Sequence, residues 1–171
     1  MGSGVAVADV DRDGDPDLVF AGGGNLAGDP PPGSGPRLFV NDGHGRFTDR
    51  SAAWGLPSTG PGYGMGVAVG DVDGDGWTDL FLTAWGTDAL LRNTGTAFED
   101  VTAAWGAGGD AGDWSSSAGF FDLENDGDLD LYVARYVEFD TVDAIKCWHG
   151  DVQIYCTPEL YTAQPDRLLR N

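Results

Sequence analysis

One nine-residue stretch constrains this chain more than any other. In Asp71-Val-Asp73-Gly-Asp75-Gly-Trp77-Thr-Asp79, carboxylates stand at positions 1, 3, 5 and 9, with Gly76 at position 6. Side chains spaced in this way on a tightly curled backbone converge on one point, and calcium, which takes six to eight oxygens, suits such a set. The glycine permits the sharp turn. The pattern occurs three times. Asp9, Asp11, Asp13, Gly14 and Asp17 form the first copy, and Asp122, Glu124, Asp126, Gly127 and Asp130 the third.

The chain has 171 residues and a formal net charge of −19, and the three loops hold five, four and five of its 28 acidic residues. The acidity is therefore focused on sites and not spread as a solvating coat. Two carboxylates about 4 Å apart repel by about 4 kcal/mol at an effective dielectric of 20, so the loops call for a cation. With nine Lys and Arg, the chain is a poor binder of nucleic acid or anionic membrane. It has no apolar run long enough to span a bilayer. No signal peptide is expected before Gly4, because Met1-Gly-Ser-Gly runs straight into a strand.

The loops sit inside a longer repeat. Gly4-Val-Ala-Val-Ala-Asp9 recurs as Gly66-Val-Ala-Val-Gly-Asp71 and as Ser117-Ala-Gly-Phe-Phe-Asp122. These read as short strands buried on both faces, their small residues suited to a crowded axis. A second strand follows each loop, in Asp17-Leu-Val-Phe-Ala21, Asp79-Leu-Phe-Leu-Thr83 and Asp130-Leu-Tyr-Val-Ala134. Third strands read Arg37-Leu-Phe-Val-Asn41, Ala89-Leu-Leu-Arg-Asn93 and Arg167-Leu-Leu-Arg-Asn171. Asn41-Asp-Gly-His-Gly45 is a hairpin signal leading to a fourth strand, Arg46-Phe-Thr-Asp49, matched by Ala97-Phe-Glu-Asp100. Ser51-Ala-Ala-Trp-Gly55 and Thr102-Ala-Ala-Trp-Gly106 each predict one helical turn, capped by Ser51 or Thr102 and stopped by glycine. Trp54 and Trp105 are expected to anchor packing between units, with sugar stacking as the rival role.

The repeat is thus four antiparallel strands, with Phe47 to Phe98, Trp54 to Trp105 and Asp71 to Asp122 each 51 residues apart. The expected fold is all-β, about three four-stranded units stacked as β-propeller blades. Blade 1 covers residues 1–56, with a Gly- and Pro-rich insertion at 22–36 read as a flexible surface loop. Blade 2 covers 57–108. Blade 3 covers 109–171, is incomplete, and carries an insertion at 136–165. Propellers have four to eight blades, so the chain reads as a fragment of a seven-bladed protein, completed by further blades or by copies of itself. The second insertion contains Cys147, His149 and Cys156. A Cys147–Cys156 disulfide, a zinc site and free thiols are the alternatives; zinc lacks a fourth good ligand.

The motif of two apolar residues, D-x-D-x-D-G-x-x-D and two more apolar residues resembles the FG-GAP/VCBS repeat of integrin-alpha-like propellers. The stretches Gly66–Gly86 and Leu90–Gly106, with Ala163-Gln-Pro-Asp-Arg-Leu-Leu-Arg-Asn171 after the Cys insertion, are similar to the cartilage-acidic-protein and bacterial ASPIC/UnbV-associated branch. The resemblance covers essentially the whole chain. It implies about three calcium ions, each between the first two strands of a blade. It also implies that Asp15, Trp77 and Asp128 at position 7 contribute backbone carbonyls. Pro16 at position 8 of loop 1 and Glu124 at position 3 of loop 3 depart from the pattern, which makes loop 3 the weakest match.

An EF-hand is excluded, because position 12 is Phe20, Leu82 or Val133 inside a strand rather than a Glu before a helix. The function expected is a calcium-stabilised, non-enzymatic scaffold for binding or adhesion, extracellular or periplasmic, with an unidentified protein or glycan ligand. The alternative is a segment of a secreted polysaccharide-active enzyme. Against it, there is no Gly-x-Ser-x-Gly elbow, and His44 and His149 have no nucleophile beside them. The acid pairs that glycoside chemistry needs are already used as ligands. A calcium sensor would need two states, and rigid repeated hairpins give no sign of them.

Overall fold

The computed structural model describes residues 4–25, 29–60 and 62–171. The expectation for Met1–Ser3, and the part of the 22–36 insertion at Leu26–Gly28, lie outside the described residues. Four antiparallel strands form the first sheet: β1 (Val5–Ala8), β2 (Asp17–Phe20), β3 (Arg37–Asn41) and β4 (Phe47–Asp49), in spatial order 1-2-3-4. The second repeats that order with β5 (Gly62–Gly70), β6 (Asp79–Gly86), β7 (Ala89–Asn93) and β8 (Phe98–Asp100). The third has β9 (Ser115–Phe121), β10 (Asp130–Arg135) and β13 (Arg167–Leu169). These meanders are propeller-like blades. Between β10 and β13, β11 (Cys147–His149) and β12 (Val152–Ile154) pair as a separate hairpin.

Side-chain alternation stacks the blades face to face. In β6, Leu80 and Leu82 point to blade 1 and meet Val10, Val19 and Leu38, while Phe81 points the other way to Leu131 and Val133 of blade 3. β7 does the same, with Leu91 toward blade 1 and Leu90 toward blade 3. Each such side chain contributes about 1.5–3 kcal/mol on burial. At the inner edge the strands crowd: a Cβ added to Gly4 would lie 2.6 Å from the Cα of Gly66. That is the physical reason for the small residues there.

Two-sided burial of the inner strands does not hold for β1. Val5 and Val7 are 52 % and 61 % exposed, while Ala8 packs inward. β5 lies between β1 and β9, but the outward face of β1 meets no further sheet among the described residues.

Ser51 and Thr102 are not the caps that the sequence suggests. Asp49 and Asp100 cap the turns, accepting the Ser51 N–H at 3.0 Å and the Thr102 N–H at 2.9 Å. The hydroxyls of Ser51 and Thr102 instead accept from the Leu38 and Leu90 N–H groups, stapling each turn onto its third strand. Trp54 packs into the core between blades 1 and 2, 5.7 Å from the Phe98 ring, whereas Trp105 is 39 % exposed beside the seam of blades 2 and 3.

Both insertions have paired bases. Gly23 N–H donates to Ser34 O at 2.8 Å, and Gly33 and Gly35 N–H both donate to Ser58 O, tying the first insertion to the segment before β5. The second starts and ends as a ladder, with Val137 opposite Ala163, Glu138 N–H bonded to Thr162 O, and Gln164 N–H bonded to Tyr136 O. Of the alternatives for its cysteines, the disulfide is formed: Cys147 and Cys156 are bonded, with Cα atoms 5.2 Å apart across the β11–β12 hairpin.

Candidate metal centre

Strand register positions the acids. Ala8 pairs with Asp17, Gly70 with Asp79, and Phe121 with Asp130, so the ninth loop residue faces the residue just before the first. Positions 1 and 9 are therefore neighbours before any ion is considered. Between them the loop is shaped by its own carboxylates. The first Asp accepts the N–H of the position-6 glycine in all three copies, at 3.0, 2.8 and 2.9 Å. The fifth accepts the N–H of position 7, at 2.9, 2.9 and 3.2 Å. The position-6 glycines have φ of +96°, +90° and +100°, where a side chain would be strained. Position 4 is also left-handed, at Arg12 (φ 60°), Gly74 (φ 71°) and Asn125 (φ 59°).

Asp9, Asp11 and Asp17 gather one oxygen each within 4.8 Å of one another, and so do Asp71, Asp73 and Asp79. Two oxygens that share a calcium ion at about 2.4 Å lie at most about 4.8 Å apart, so the spacing of both sets is compatible with one shared ion. Asp71 Oδ1 is buried with no hydrogen-bond partner, an orphaned acceptor on a member of the second set. Asp13 and Asp75 are outside these groups of three; each turns Oδ1 to the loop backbone. At position 7, Asp15 lies against Gly43, and Trp77 stacks under the Arg12 guanidinium, 5.1 Å from its ring centre.

Loop 3 differs. Asp122, Glu124 and Asp130 do not gather to that spacing, and Glu124 Oε1 accepts from Arg170 Nη2 at 2.6 Å. Burial and a hydrogen bond to Asp130 raise the Glu124 carboxyl above its ordinary range, while Asp130 is held low, first by the Leu123 N–H. Asp126 and Asp128 hold the loop by their own backbone contacts.

The ninth residue links the site to the fold. Asp17 and Asp79 are fully buried and Asp130 is nearly so. Burial pushes Asp79 up to about 6, against the lowering effect of the Asn93 and Val72 N–H groups; Asp17 is raised by burial, and Asp11 by burial and by Asp17. One oxygen of each ninth Asp accepts the N–H of position 2: Val10 at 3.0 Å, Val72 at 2.8 Å and Leu123 at 3.0 Å. The other accepts the N–H of an asparagine at or just past the end of the third strand: Asn41 at 2.9 Å, Asn93 at 2.7 Å and Asn171 at 3.1 Å. Asn93 Nδ2 then donates to Val10 O of blade 1, and Asn171 Nδ2 to Val72 O of blade 2. Val10 and Val72 themselves plug the cores of the two blade interfaces. Each loop thus braces a seam between blades. The asparagines went unread as site residues, although the sequence repeats them, since all three third strands end in Asn.

The FG-GAP-like repeat model matches residues 9–82 and again 71–133, so the matched region holds all three acidic loops. The chain belongs to the FG-GAP-like repeat family. No curated protein matches it. For this FG-GAP-like chain the family match supports a propeller repeat scaffold, and its acidic clusters have the geometry to hold metal ions.

Proposed function

We propose that the chain is a calcium-stabilised propeller scaffold of an extracellular or periplasmic protein, whose blade faces and insertions present a ligand-binding or adhesive surface. Within the family, the segment Ala163–Asn171 after the Cys insertion supports a reading nearest the cartilage-acidic-protein and ASPIC/UnbV-associated branch. One observation carries the metal reading: three carboxylates that bring one oxygen each within 4.8 Å, with Asp71 also carrying the orphaned Oδ1. Asp71, Asp73 and Asp79 would hold one ion, and Asp9, Asp11 and Asp17 another, with Asp122, Glu124 and Asp130 a weaker third. The ions would neutralise repelling carboxylates and stiffen loops that carry the interface plugs Val10 and Val72. Their role is structural, and no catalysis is assigned to them.

The disulfide suits an oxidising compartment. No helix among the described residues is long and apolar enough to cross a membrane. Calcorimetric choice between cations tests the reading. Magnesium demands near-ideal octahedral geometry and gives up its waters reluctantly, whereas calcium accepts an irregular shell of six to eight oxygens, so calcium should bind at least about tenfold more tightly. Equal binding of both cations, or of neither, would contradict it.

A further inference from the structure

The second insertion builds a cavity unrelated to the acidic loops. Tyr63, Trp114, Tyr136, Phe139, Tyr155 and Tyr161 line about 540 Å³ between the start of β5, the start of β9 and the insertion, with the disulfide sulfur-bearing Cys156 in its wall. The size is that of a small-molecule site. The rings meet at steep angles. Trp114 and Tyr136 are 5.3 Å apart at 82°, Trp114 and Phe139 are 5.4 Å apart at 66°, and Phe139 and Tyr161 are 6.0 Å apart at 54°. They buttress one another as walls and do not lie coplanar as a sugar platform would.

The electrostatics favour a cation. Among the described residues, no Lys, Arg or His lines the cavity. Glu138 sits between the lining residues Val137 and Phe139, and Glu159 follows the lining residue Pro158. The insertion also carries Asp140, Asp143 and Asp151 against one lysine, Lys146, in a chain of net charge −19. Arg135, next to Tyr136, is committed to Asp113 at 2.7 Å. Aromatic faces in a negative field attract organic cations, and several rings around one recess suit an alkylated ammonium. Trp114 is 7 % exposed, which makes its ring a fixed part of the wall.

We propose that this aromatic cavity binds a free, small organic cation of the choline class, with its trimethylammonium group among the rings. The test is calorimetric titration of the whole calcium-loaded chain with choline, with tetramethylammonium as competitor and 3,3-dimethylbutan-1-ol as the uncharged isostere. Saturable choline binding that tetramethylammonium displaces, with the isostere at least about tenfold weaker, is expected. Tyr155, 99 % exposed, can be truncated without disturbing the core, and Tyr155→Ala should weaken choline severalfold. Phe139→Leu keeps apolar bulk but removes a ring; it should weaken choline about tenfold while calcium-dependent melting stays unchanged. Equal binding of choline and its isostere would overturn the proposal, as would no choline binding. Capture of neutral oligosaccharides in place of choline, or binding to phosphatidylcholine vesicles without binding of free choline, would also overturn it.

Discussion

At the residue scale, the decisive group is the ninth loop aspartate, buried by the fold yet required as an anion by a cation. Asp79 without metal is pushed up to about 6 by burial, and Asp88, remote from the loops and buried beside Ser115, is pushed up to about 6 for the same reason. Both values lie above the unfolded value, so their contribution to stability is complete below the unfolded pKa and is lost as pH rises through about 6. Chelated protein should therefore melt higher at about pH 5 than at about pH 7.5, by the equivalent of about 1.4 kcal/mol per group, since about one pH unit of the shift lies above pH 5. With calcium the sign at Asp79 reverses, because protons compete with the ion. The rise in melting temperature that calcium produces should grow between those two pH values, as scanning calorimetry can record. Asp71→Asn offers a second check. Its amide oxygen can still take the Gly76 N–H, so in chelator the change should cost under about 1 kcal/mol. In calcium the variant should lose one ion per chain and most of the added stability, read by calorimetry and urea melts.

The acidic positions at this scale were legible from spacing alone, because alternation on a curled loop leaves few geometries. Two features were not. Arg12 adopts the same left-handed backbone as Gly74 and Asn125 at the matching position, which an arginine, unlike glycine or asparagine, does not announce. Glu124 differs because of Arg170, 46 residues later, which β13 brings alongside loop 3.

At the scale of elements, strands and their order followed from repeated apolar runs between turn residues. What the runs could not reveal is which strand face meets another blade, since that depends on stacking. Val5 and Val7 of β1 are as apolar as Val67 and Val69 of β5, yet only the β5 valines pack against a core cluster. The insertions looked irregular because their order comes from long-range backbone bonds, such as Gly33 N–H to Ser58 O. The strand-ending asparagines supply a test of the seam. Asn93 Nδ2 donates to Val10 O at 2.8 Å and to Thr78 O at 3.2 Å, and its Oδ1 accepts the Gly95 N–H. Asn93→Ala leaves buried backbone groups unpaired in two blades and should cost about 2–4 kcal/mol in urea denaturation. Asn41→Ala loses one donation, to Pro16 O within its own blade, and should cost about 1 kcal/mol. Equal costs would mean that the link to Val10 adds nothing.

At the scale of the whole molecule, ion loops, asparagine ties and valine plugs lie along the same seams. Loop 1 supplies Val10 to the interface of blades 1 and 2, and loop 2 supplies Val72 to that of blades 2 and 3. Leu123, their counterpart in loop 3, is 47 % exposed with no blade to enter among the described residues. Metal binding at loops 1 and 2 should therefore stabilise the stack as a unit. The most direct test is a thermal melt of the chain in chelator, in magnesium and in calcium, with bound ions counted in the same samples. The account predicts a rise in melting temperature specific to calcium, with about two tightly held ions per chain and a third that leaves first on dilution. No bound calcium and no shift would contradict it.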